Sequence, residues 1–577
     1  RYLTLLKMLF VGEKTNVLRL LPMNERNNKI QVGLIIDDKP LTCFAWTLID
    51  AAAISDCFIV SGLIVQRRSE STFTRVRSLW NRNGTRWLLN RVSFLILNFM
   101  ELWLIEKIFG NQLAYKTKLR SDFSELACIE VYPDISDGGY LYKYKTEDIN
   151  KIRSKKFDVL IRCGSGILTG DILTSAKLGV LSMHHGDNRK FRGSPAGFWE
   201  VYFNAPETGF IIQRLSEELD GGEVLFRGAL STRPSFILNQ SAIYEKSLPF
   251  MVTILESIGK ENGSAEKFHL NIYSHKLFTP PQIGVQFCYL IKILFKFAVR
   301  LSRYVLKLKQ RWRVSYKFQD DWTQSVFRRF VEIENPVGHF YADPFTCEHN
   351  GVDYIFVEDF SYQTSKGTIG VLEVNHAGAK FLGTILDEEF HLSFPFLLRN
   401  DGEIYLVPET YQANEIRMYR AVEFPLKWEL YRTLMSNVRA VDTMIFPCEG
   451  GWMLLTNIDS SGCDEFESEL HAYFSESFDS ENWEPISNLP IIFSPSSARN
   501  GGLLRYGDDL YRVFQRQKPS IYGAMMGISK IEIACASSYV ESELVEISPS
   551  FSKGAIASHT FNSTDRLTAI DFAVRER

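Results

Sequence analysis

The residues best suited to chemistry are concentrated in residues 179–226, where an apolar run ends in His184 and His185 and polar side chains follow at once. An imidazole and a carboxylate that emerge from neighbouring strand ends can form an acid/base pair, in which the carboxylate orients the ring and raises its pKa. Asp220, 36 residues after His184, is the carboxylate placed to do this. Each also has a structural interpretation, His184 as a packed, hydrogen-bonded side chain and Asp220 as a turn former before two glycines.

Familiar cofactor and catalytic motifs do not add to this group. The sequence has no GxGxxG, P-loop, HExxH or GxSxG pattern, and it indicates no metal site. The segment Cys163-Gly164-Ser165-Gly166 is weakly glycine-rich, but its spacing matches no phosphate loop. It predicts a tight turn at a strand end, with the lining of a cofactor pocket as the alternative.

The elements that must position these residues form a predicted α/β domain. Residues 30–66 alternate strand, helix and strand, and residues 157–187 repeat that order. The pattern predicts a mostly parallel sheet within residues 30–230, with the polar residues after His184 at its carboxyl edge. Residues 87–109 carry too many polar side chains for a membrane-spanning helix, so we expect a buried helix there.

Residues 340–545 have a different pattern, in which short apolar runs alternate with Gly, Asp and Asn turns. Equivalent points lie near Asp343, Phe394, Asp442 and Asn500, at intervals of 51, 48 and 58 residues. Each interval is long enough for one four-stranded propeller blade. We therefore predict an all-β, five-bladed propeller, whose fifth blade combines residues 311–335 with the C-terminal portion.

Between the two predicted domains lies a basic, apolar stretch. Residues 267–319 contain 11 Lys or Arg and no acidic residue, and five of the basic residues recur at helical spacing: Lys292, Lys296, Arg300, Arg303 and Lys307. One interpretation is a helix wedged between the domains with its basic stripe in solvent. The other is a helix on an anionic membrane, in contact through residues 285–313, which would place the protein peripherally at the inner membrane face.

Composition excludes several classes of protein. With 65 Lys and Arg against 68 Asp and Glu the net charge is −3, so we expect no nucleic-acid partner. Nine cysteines without a CxxC pair exclude a zinc ribbon and a disulfide framework, and they favour the cytoplasm. Residues 2–11 are apolar but reach Glu13 too soon for a signal peptide.

Residues 158–228 resemble the formyltransferase family that uses 10-formyltetrahydrofolate, and the likeness extends over about residues 30–235. The matching segments are Ser182-Met183-His184, Arg192-Gly193, Thr208-Gly209 and Leu219-Asp220-Gly221-Gly222. The resemblance implies transfer of a formyl group from that co-substrate to a primary amine. His184 would stabilise the oxyanion of the tetrahedral intermediate, and Asp220 would hold the imidazole and help to take the amine proton.

The sequence departs from that family at Ser182, where the family has an Asn that donates a hydrogen bond to the oxyanion. Removing one such donor costs on the order of 10²–10³ in rate. By the resemblance, Ser182, His184 and Asp220 are catalytic. The expected cofactor contacts are Cys163, Gly164, Ser165, Gly166, Ile167, Leu168, Asp187, Asn188 and Gly221. His185 and Arg192 are expected to bind the amine substrate.

The second half resembles the five-bladed propeller of glucosamine inositolphosphorylceramide transferases and, more distantly, family-43 glycosidases. The matching segments include Ala342-Asp343-Pro344 and Arg499-Asn500-Gly501-Gly502. In those glycosidases an Asp like Asp343 is a general base, but the general-acid Glu has no counterpart here. The residues expected to line a sugar-binding funnel are Asp343, Glu358, Glu409, Asp442 and Arg499.

Together these features predict an N-terminal extension (1–29), a formyltransferase-like, Rossmann-type α/β domain (30–265), a helical linker (266–319) and a propeller (320–577). The main functional prediction is formyl transfer to an amino sugar, sugar nucleotide or glycoconjugate precursor, with the propeller binding carbohydrate. The alternatives are a catalytically impaired glycan-binding protein, and a propeller-borne glycosyltransferase or glycosidase with an accessory first domain.

Overall fold

The computed structural model describes residues 29–68, 72–109, 125–136, 139–218, 221–261, 275–519 and 521–576. The chain divides into two compact units, one within residues 5–296 and one that comprises residues 297–577. The predicted N-terminal extension, except for Lys29, lies outside the described residues.

The first unit is built around a seven-stranded sheet. In chain order its elements are β1 (Ile30–Asp37), α1 (Cys43–Ile54), β2 (Phe58–Gln66), α2 (Thr72–Phe109), β3 (Ala127–Val131), β4 (Asp134–Ile135), β5 (Leu141–Lys143), α3 (Thr146–Ser154), β6 (Val159–Arg162), β7 (Ile167–Thr169), β8 (Val180–His184), α4 (Phe198–Phe203), β9 (Glu207–Arg214), β10 (Glu223–Ser231) and α5 (Phe236–Glu261), followed by α6 (Ile283–Val305), which continues into the second unit. The strand order is β10-β9-β8-β6-β1-β2-β3.

This sheet is mixed. Strands β3, β2, β1, β6 and β8 run parallel, whereas β9 and β10 are antiparallel at one edge. The predicted βαβ order places β1 next to β2, and the apolar residues of both strands are almost completely buried. The α/β prediction is therefore confirmed for the parallel part, and the sequence did not indicate the antiparallel edge. Strands β4, β5 and β7 form a separate small sheet.

Helix α2 differs from its prediction. A helix does span residues 87–109, but its outer face is not buried: Leu95 is 67% exposed, Phe99 71% and Trp103 50%. The prediction of a buried helix is wrong because a single face of α2 suffices to pack against the unit. Between Val76 and Lys107 the helix is long and apolar enough to cross a membrane by length and composition alone.

The second unit consists of five antiparallel sheets. Its strands are β11 (Lys309–Phe318), β12 (Val331–Glu332), β13 (His339–His349), β14 (Val352–Ser361), β15 (Lys366–Asn375), β16 (Gly378–Leu386), β17 (Ser393–Asn400), β18 (Glu403–Glu409), β19 (Glu415–Glu423), β20 (Lys427–Ser436), β21 (Ala440–Cys448), β22 (Gly451–Ile458), β23 (Glu469–Ser475), β24 (Glu484–Pro485), β25 (Ile492–Phe493), β26 (Asn500–Tyr506), β27 (Asp509–Lys518), β28 (Ile521–Cys535), β29 (Ser538–Ile547), β30 (Ala555–Ala557), β31 (Phe561–Ser563) and β32 (Leu567–Glu576). Strands β13–β16, β17–β20, β21–β25 and β26–β29 form four blades in chain order, and the remaining five strands form a closing blade.

The five sheets form a ring. The innermost strands β13, β17, β21, β26 and β31 contact one another in that order, and β31 contacts β13 again. Within the blades, Asn350-Gly351 and Asp401-Gly402 form two-residue hairpin loops in which both residues have positive φ, as the sequence pattern predicts. The predicted five-bladed propeller is thus the architecture of this unit.

The closing blade joins the two ends of the propeller. Strand β11 pairs with β32 along its whole length, from Lys309↔Glu576 to Phe318↔Leu567. Residues 309–318 therefore belong to the propeller, although the sequence analysis placed them in the 266–319 linker. The pairing agrees with the prediction that residues 311–335 and the C-terminal portion form one blade, and only the end of the linker at residue 319 was placed too late in the chain.

Candidate functional site

The inner strands of four blades share a bulge near one end. The pairing shifts register between Ala342 and Phe345, Ser393 and Phe396, Val441 and Met444, and Asn500 and Gly502. Within three of these bulges Asp343, Phe394 and Asp442 have φ of 49°, 46° and 50°. Left-handed backbone is costly for residues other than glycine, so its recurrence marks equivalent and strained positions.

Opposite the bulges, the second strand of each blade carries a buried polar residue. Ala342 pairs with Glu358, Ser393 with Glu409 and Val441 with Asn457. In the other two blades the amides of Gln515 and Asp571 donate to the carbonyls of Arg499 and Thr560. We call these five second-strand residues the polar ring: Glu358, Glu409, Asn457, Gln515 and Asp571. All of them are buried.

Arg499 links two carboxylates at this ring. Its Nε lies 2.6 Å from Oδ2 of Asp442, and its Nη2 lies 3.7 Å from Oε2 of Glu409. The guanidinium also lies 5.0 Å from the centre of the Tyr522 ring. Burial opposes the charge of Arg499, but Asp442, Tyr522 and Glu409 outweigh it and raise the pKa of the guanidinium. Asp442 also accepts a hydrogen bond from Nε2 of Gln515, at 3.2 Å.

A second cluster surrounds Asp343. Its Oδ1 accepts a hydrogen bond from the Thr560 hydroxyl at 2.7 Å. Nδ1 of His559 lies 2.6 Å from Oδ2 of Asp571 and 3.6 Å from Oδ1 of Asp343, and the imidazole stacks on Trp312 with ring centres 3.7 Å apart. One ligand atom from each of Asp343, His559 and Asp571 lies within 4.8 Å of the others, which is close enough for the three to share a metal ion, and Nδ1 of His559 contacts Asp571 directly.

Three carboxyl groups of the axis, those of Asp343, Glu358 and Glu409, have raised pKa values. Burial raises the pKa of Asp343 to about 6, against the opposing effect of His559. Burial also raises the pKa of Glu358 and of Glu409 well above the ordinary value, and neighbouring carboxylates add to the effect. His391 is 3.6 Å from Glu358, and burial lowers its pKa to about 4, so the ring is neutral at neutral pH.

The structure therefore brings together all five residues predicted to line the sugar funnel: Asp343, Glu358, Glu409, Asp442 and Arg499. The sequence analysis missed Gln515, Tyr522, His559 and Asp571. The sequence analysis predicted the fifth blade without assigning strands inside it, so Asp571 was not aligned with Glu358 and Glu409 as a second-strand residue. Chemically, protonated carboxyls can both donate to and accept from sugar hydroxyls, and carboxylates can bind a cation.

At the carboxyl edge of the first unit, the loop after β6 is held by the protein itself. The Ser165 amide and hydroxyl both donate to Oδ1 of Asp37, at 3.1 and 2.9 Å, and Nε2 of Gln66 donates to the Ser165 carbonyl. Cys163, Gly164 and Gly166 lie in this loop, whereas Ile167 and Leu168 belong to β7. The loop is a tight turn at a strand end, as one of the two sequence interpretations had it.

Arg162 occupies the space beside Ser182. Its Nη1 donates to Oγ of Ser182 at 3.3 Å, and its Nε donates to the Gly166 carbonyl at 2.8 Å. Burial lowers the pKa of this guanidinium, although Asp37 opposes the shift. The sequence analysis did not single out Arg162, because a basic residue at the end of an apolar strand gives no signal that it will fold back along the sheet edge.

Asp187, Asn188 and His185, also predicted at this edge, contact other residues of the first unit. Asp187 binds Arg227 at 2.6 Å and Arg189 at 3.0 Å, and Arg227 also donates to the Asn188 side chain. His185 packs edge-on against Tyr244 with ring centres 4.3 Å apart, and burial lowers the pKa of His185 to about 3.

His184 ends β8, and Arg192 accepts a backbone hydrogen bond from Phe278. The Gly221 amide donates to the Glu218 carbonyl. Asp220 lies outside the described residues, so the His184–Asp220 pairing stays a prediction.

Several solved structures are similar to parts of this chain at low scores. They include a putative glycoside hydrolase from Bacteroides ovatus (10% identical, TM-score 0.32, covering 44% of this chain and 96% of that one) and a thermostable family-43 glycoside hydrolase (15%, 0.31, 41% and 89%). A glycinamide ribonucleotide transformylase from Symbiobacterium toebii (11%, 0.27, 41% and 90%) is also among them. At these TM-scores none of them supports an argument about this chain.

The predicted formyltransferase activity is corrected by the sequence comparisons. Glucosamine inositolphosphorylceramide transferase 1 of Arabidopsis thaliana is 36% identical over 211 residues, which are 36% of this chain and 27% of the relative. The protein of the same name from Oryza sativa subsp. japonica is 35% identical over 208 residues, 35% and 28% of the two chains. These relatives are named as transferases of another kind, and no formyltransferase family model matches.

The matched family model coincides with the propeller. Its description is "Glucosamine inositolphosphorylceramide transferase 1, N-terminal", and it matches residues 330–571. The chain spans a little over a quarter of the length of the curated relatives it matches. Residues 330–571, which carry the polar ring and Arg499, are thus similar to the N-terminal region of the glucosamine inositolphosphorylceramide transferases.

Proposed function

We propose that the propeller binds an amino sugar at its axis and that the chain takes part in glycosyl transfer to a glycoconjugate. The observation that supports this is an excess of acid among the axial residues. Five carboxyl groups, Asp343, Glu358, Glu409, Asp442 and Asp571, accompany two basic groups, Arg499 and His559.

Burial is the main reason that the pKa values of Glu358 and Glu409 are raised, and the excess of neighbouring carboxylates adds to the effect. Buried carboxyl groups that outnumber the basic groups around them retain protons, which is the least costly way to remove charge from a site of low dielectric. A ligand ammonium placed near Asp343 and Glu409 would supply the missing charge and allow protons to leave. Sugar hydroxyls would in turn find donors and acceptors in the carboxyls that stay protonated.

The names of the relatives agree with this chemistry. Both name glucosamine, a sugar with a primary amine, and an inositolphosphorylceramide, a glycoconjugate precursor. Because the match covers only residues of the propeller and about a quarter of each relative, the activity and substrates of this chain are our proposal. The charge of the amine is opposite to that of the acidic axis, which supports an amino sugar rather than a neutral sugar as the ligand.

Transfer would form a bond between an acceptor oxygen and the anomeric carbon, while the bond to the leaving group breaks and its electron pair stays with that group. The proton of the acceptor hydroxyl then needs a base. Asp343, with a pKa of about 6, is ionised at neutral pH and basic enough to take that proton. We assign this role to Asp343, while Arg499 forms an ion pair with Asp442 at 2.6 Å.

Calorimetric titration of the full chain with glucosamine, N-acetylglucosamine and glucose tests the binding. We expect glucosamine to bind at least about tenfold more tightly than the two neutral sugars at pH 7, because a charge-assisted contact discriminates by that much. The affinity should fall between pH 7 and pH 5, where Asp343 becomes protonated through its pKa of about 6.

Two variants sharpen this test. In Glu409→Gln the glutamine side chain has the same shape as a protonated glutamic acid, so the variant should fold normally. It should lose most of the difference in affinity between glucosamine and the neutral sugars. Glu532→Gln, an exposed residue of β28, is the matched control and should bind like the parent. Equal affinity for glucosamine and N-acetylglucosamine, or a preference that Glu409→Gln leaves intact, would contradict the proposal.

A further inference from the structure

Helices α2 and α6 present large apolar side chains outward. We call these residues the apolar face: Leu89, Val92, Leu95, Ile96, Phe99, Met100, Trp103 and Leu104 of α2, with Ile283, Phe287, Leu290, Ile291, Leu294 and Phe295 of α6. Each is between 41% and 71% exposed. Scattered apolar residues are normal on a protein surface, but fourteen on two helices that contact each other are not.

The inward side of the same helices is where their polar groups meet. The Tyr289 hydroxyl donates to Glu101 at 2.8 Å, and the other oxygen of Glu101 accepts the Ile237 amide at 2.7 Å. Nε2 of Gln286 donates to the Asn90 carbonyl at 2.9 Å. Gln286 is 4% exposed, so these helices bury several polar groups while many of their large apolar side chains face outward, which is unusual for a helix whose outer face is in water.

This arrangement also fixes how the helices can meet a bilayer. One side of α2 packs against the unit, where Phe94, Leu97 and Ile105 join a core with Phe198 and Phe236. A helix covered by protein along one side cannot be surrounded by lipid, so α2 is better suited to lie in the plane of a membrane than to cross it. The apolar face would then enter one leaflet.

Charge identifies the kind of membrane. Residues 275–308, which include α6, contain six Lys or Arg and no acidic residue. An anionic bilayer surface attracts such a segment. Residues 1–28 would not complement it, because they are themselves basic, with five Lys or Arg against two Glu.

We propose that the apolar face of α2 and α6 inserts into one leaflet of an anionic lipid bilayer, with both helices parallel to the membrane plane. The proposal does not rest on the sugar site, and it can fail while amino-sugar binding holds. The proposal gives the protein a membrane as its partner, and it would bring the chain to the same bilayer as a glycolipid acceptor.

Co-sedimentation of the full chain with lipid vesicles tests this. We expect binding to phosphatidylcholine/phosphatidylserine vesicles (7:3) and at least tenfold weaker binding to pure phosphatidylcholine. The double variant Phe99→Asp/Phe295→Asp should lose binding at least tenfold, whereas Leu544→Asp, at a 58% exposed residue of β29, should not. The variant Arg300→Gln/Arg303→Gln should weaken binding about fivefold for each residue replaced.

The native cysteines provide a second measurement. Cys288 on α6 and Cys463 in the propeller are both exposed. Anionic vesicles should slow alkylation of Cys288 by a charged maleimide severalfold and leave Cys463 unchanged. Equal protection of both, binding to neutral vesicles as strong as to anionic ones, or a concentration-dependent dimer that Phe99→Asp/Phe295→Asp dissolves without any vesicle binding would overturn the proposal.

Discussion

Arg499 is the residue on which the electrostatics of the propeller axis depend most. It lies 2.6 Å from Asp442 and 3.7 Å from Glu409, and all three side chains are nearly inaccessible to solvent. Breaking a buried ion pair leaves a desolvated charge without compensation, which is far more costly than losing a pair on the surface. The arginine therefore stabilises the ring as well as shaping its charge.

We predict that Arg499→Met destabilises the propeller by about 3–5 kcal/mol, because Asp442 remains buried without its cation. Urea unfolding, followed by the fluorescence of the propeller tryptophans, measures the change. Arg432→Met is the matched control: its partners Asp479 and Glu481 lie at the surface, so it should cost less than about 1 kcal/mol. Adding Asp442→Leu to Arg499→Met should restore part of the loss. Equal costs for the two single variants would show that the axial pair is not electrostatically buried.

The axial residues show how far single residues can be predicted from sequence. Asp343, Glu358, Glu409, Asp442 and Arg499 were predicted from the resemblance of the second half to propeller transferases and glycosidases, and the repeat pattern independently marked only Asp343 and Asp442 among them. His559 and Asp571 were missed because the C-terminal part of the predicted fifth blade was not divided into strands, so its inner positions were not identified. In the first unit, residue types suggested chemistry at a sheet edge. They could not show that Arg162 would donate a hydrogen bond to Ser182 there, or that Arg227 would donate one to Asn188.

At the scale of elements, the closing blade determines whether the propeller is a ring. Strands β30, β31 and β32 come from the last residues of the chain, whereas β11 and β12 precede the first blade. The pairing of β11 with β32 contains ten residue pairs, from Lys309↔Glu576 to Phe318↔Leu567. Without it, β13 and β26 lose their shared neighbour β31, and their apolar side chains become exposed.

Removing residues 555–577 should therefore abolish cooperative unfolding of the propeller, because three of the five closing strands are lost. Circular dichroism during thermal unfolding, together with limited proteolysis, detects this.

A chain that ends at Val574 is the matched control. It retains eight of the ten pairs and loses the ion pairs of Glu576 with Arg311 and Arg313, so it should unfold cooperatively with a cost of about 1–2 kcal/mol. A cooperative transition in the longer truncation would mean that the four other blades are stable as an open arc.

Elements of the first unit were predicted with uneven success for a physical reason. Strands β1 and β2 and helix α1 follow from local apolar periodicity, which the chain carries within about 40 residues. The extent to which α2 is buried does not follow from local periodicity, because a core helix and a helix lying in a membrane surface have the same apolar pattern. Only the contacts of Glu101 and Asn90 with α5 and α6 reveal which face turns inward.

For the whole molecule, the sequence correctly indicated an α/β part followed by a β-propeller, because the periodicity changes between them. Each unit has its own hydrophobic core: one includes Ile35, Ile64 and Leu160, and another includes Phe356, Leu406 and Met453. The cytoplasmic location stays a prediction that rests on the nine cysteines, all of which are free thiols. Function was harder to predict, because a fold pattern can suggest a family while the chemistry depends on individual side chains.

We predict that residues 306–577, produced alone, fold and keep the axial site. The strands of all five blades and every residue of the polar ring lie within this fragment, so its core does not require the rest of the chain. Its urea midpoint should match the propeller transition of the full chain, and its affinity for glucosamine should agree within about twofold. Because the fragment lacks α2 and α6, it should not sediment with anionic vesicles, whereas the full chain should. A fragment that aggregates, or that binds vesicles as strongly as the full chain, would show that sugar recognition and membrane contact are not divided between the two parts in this way.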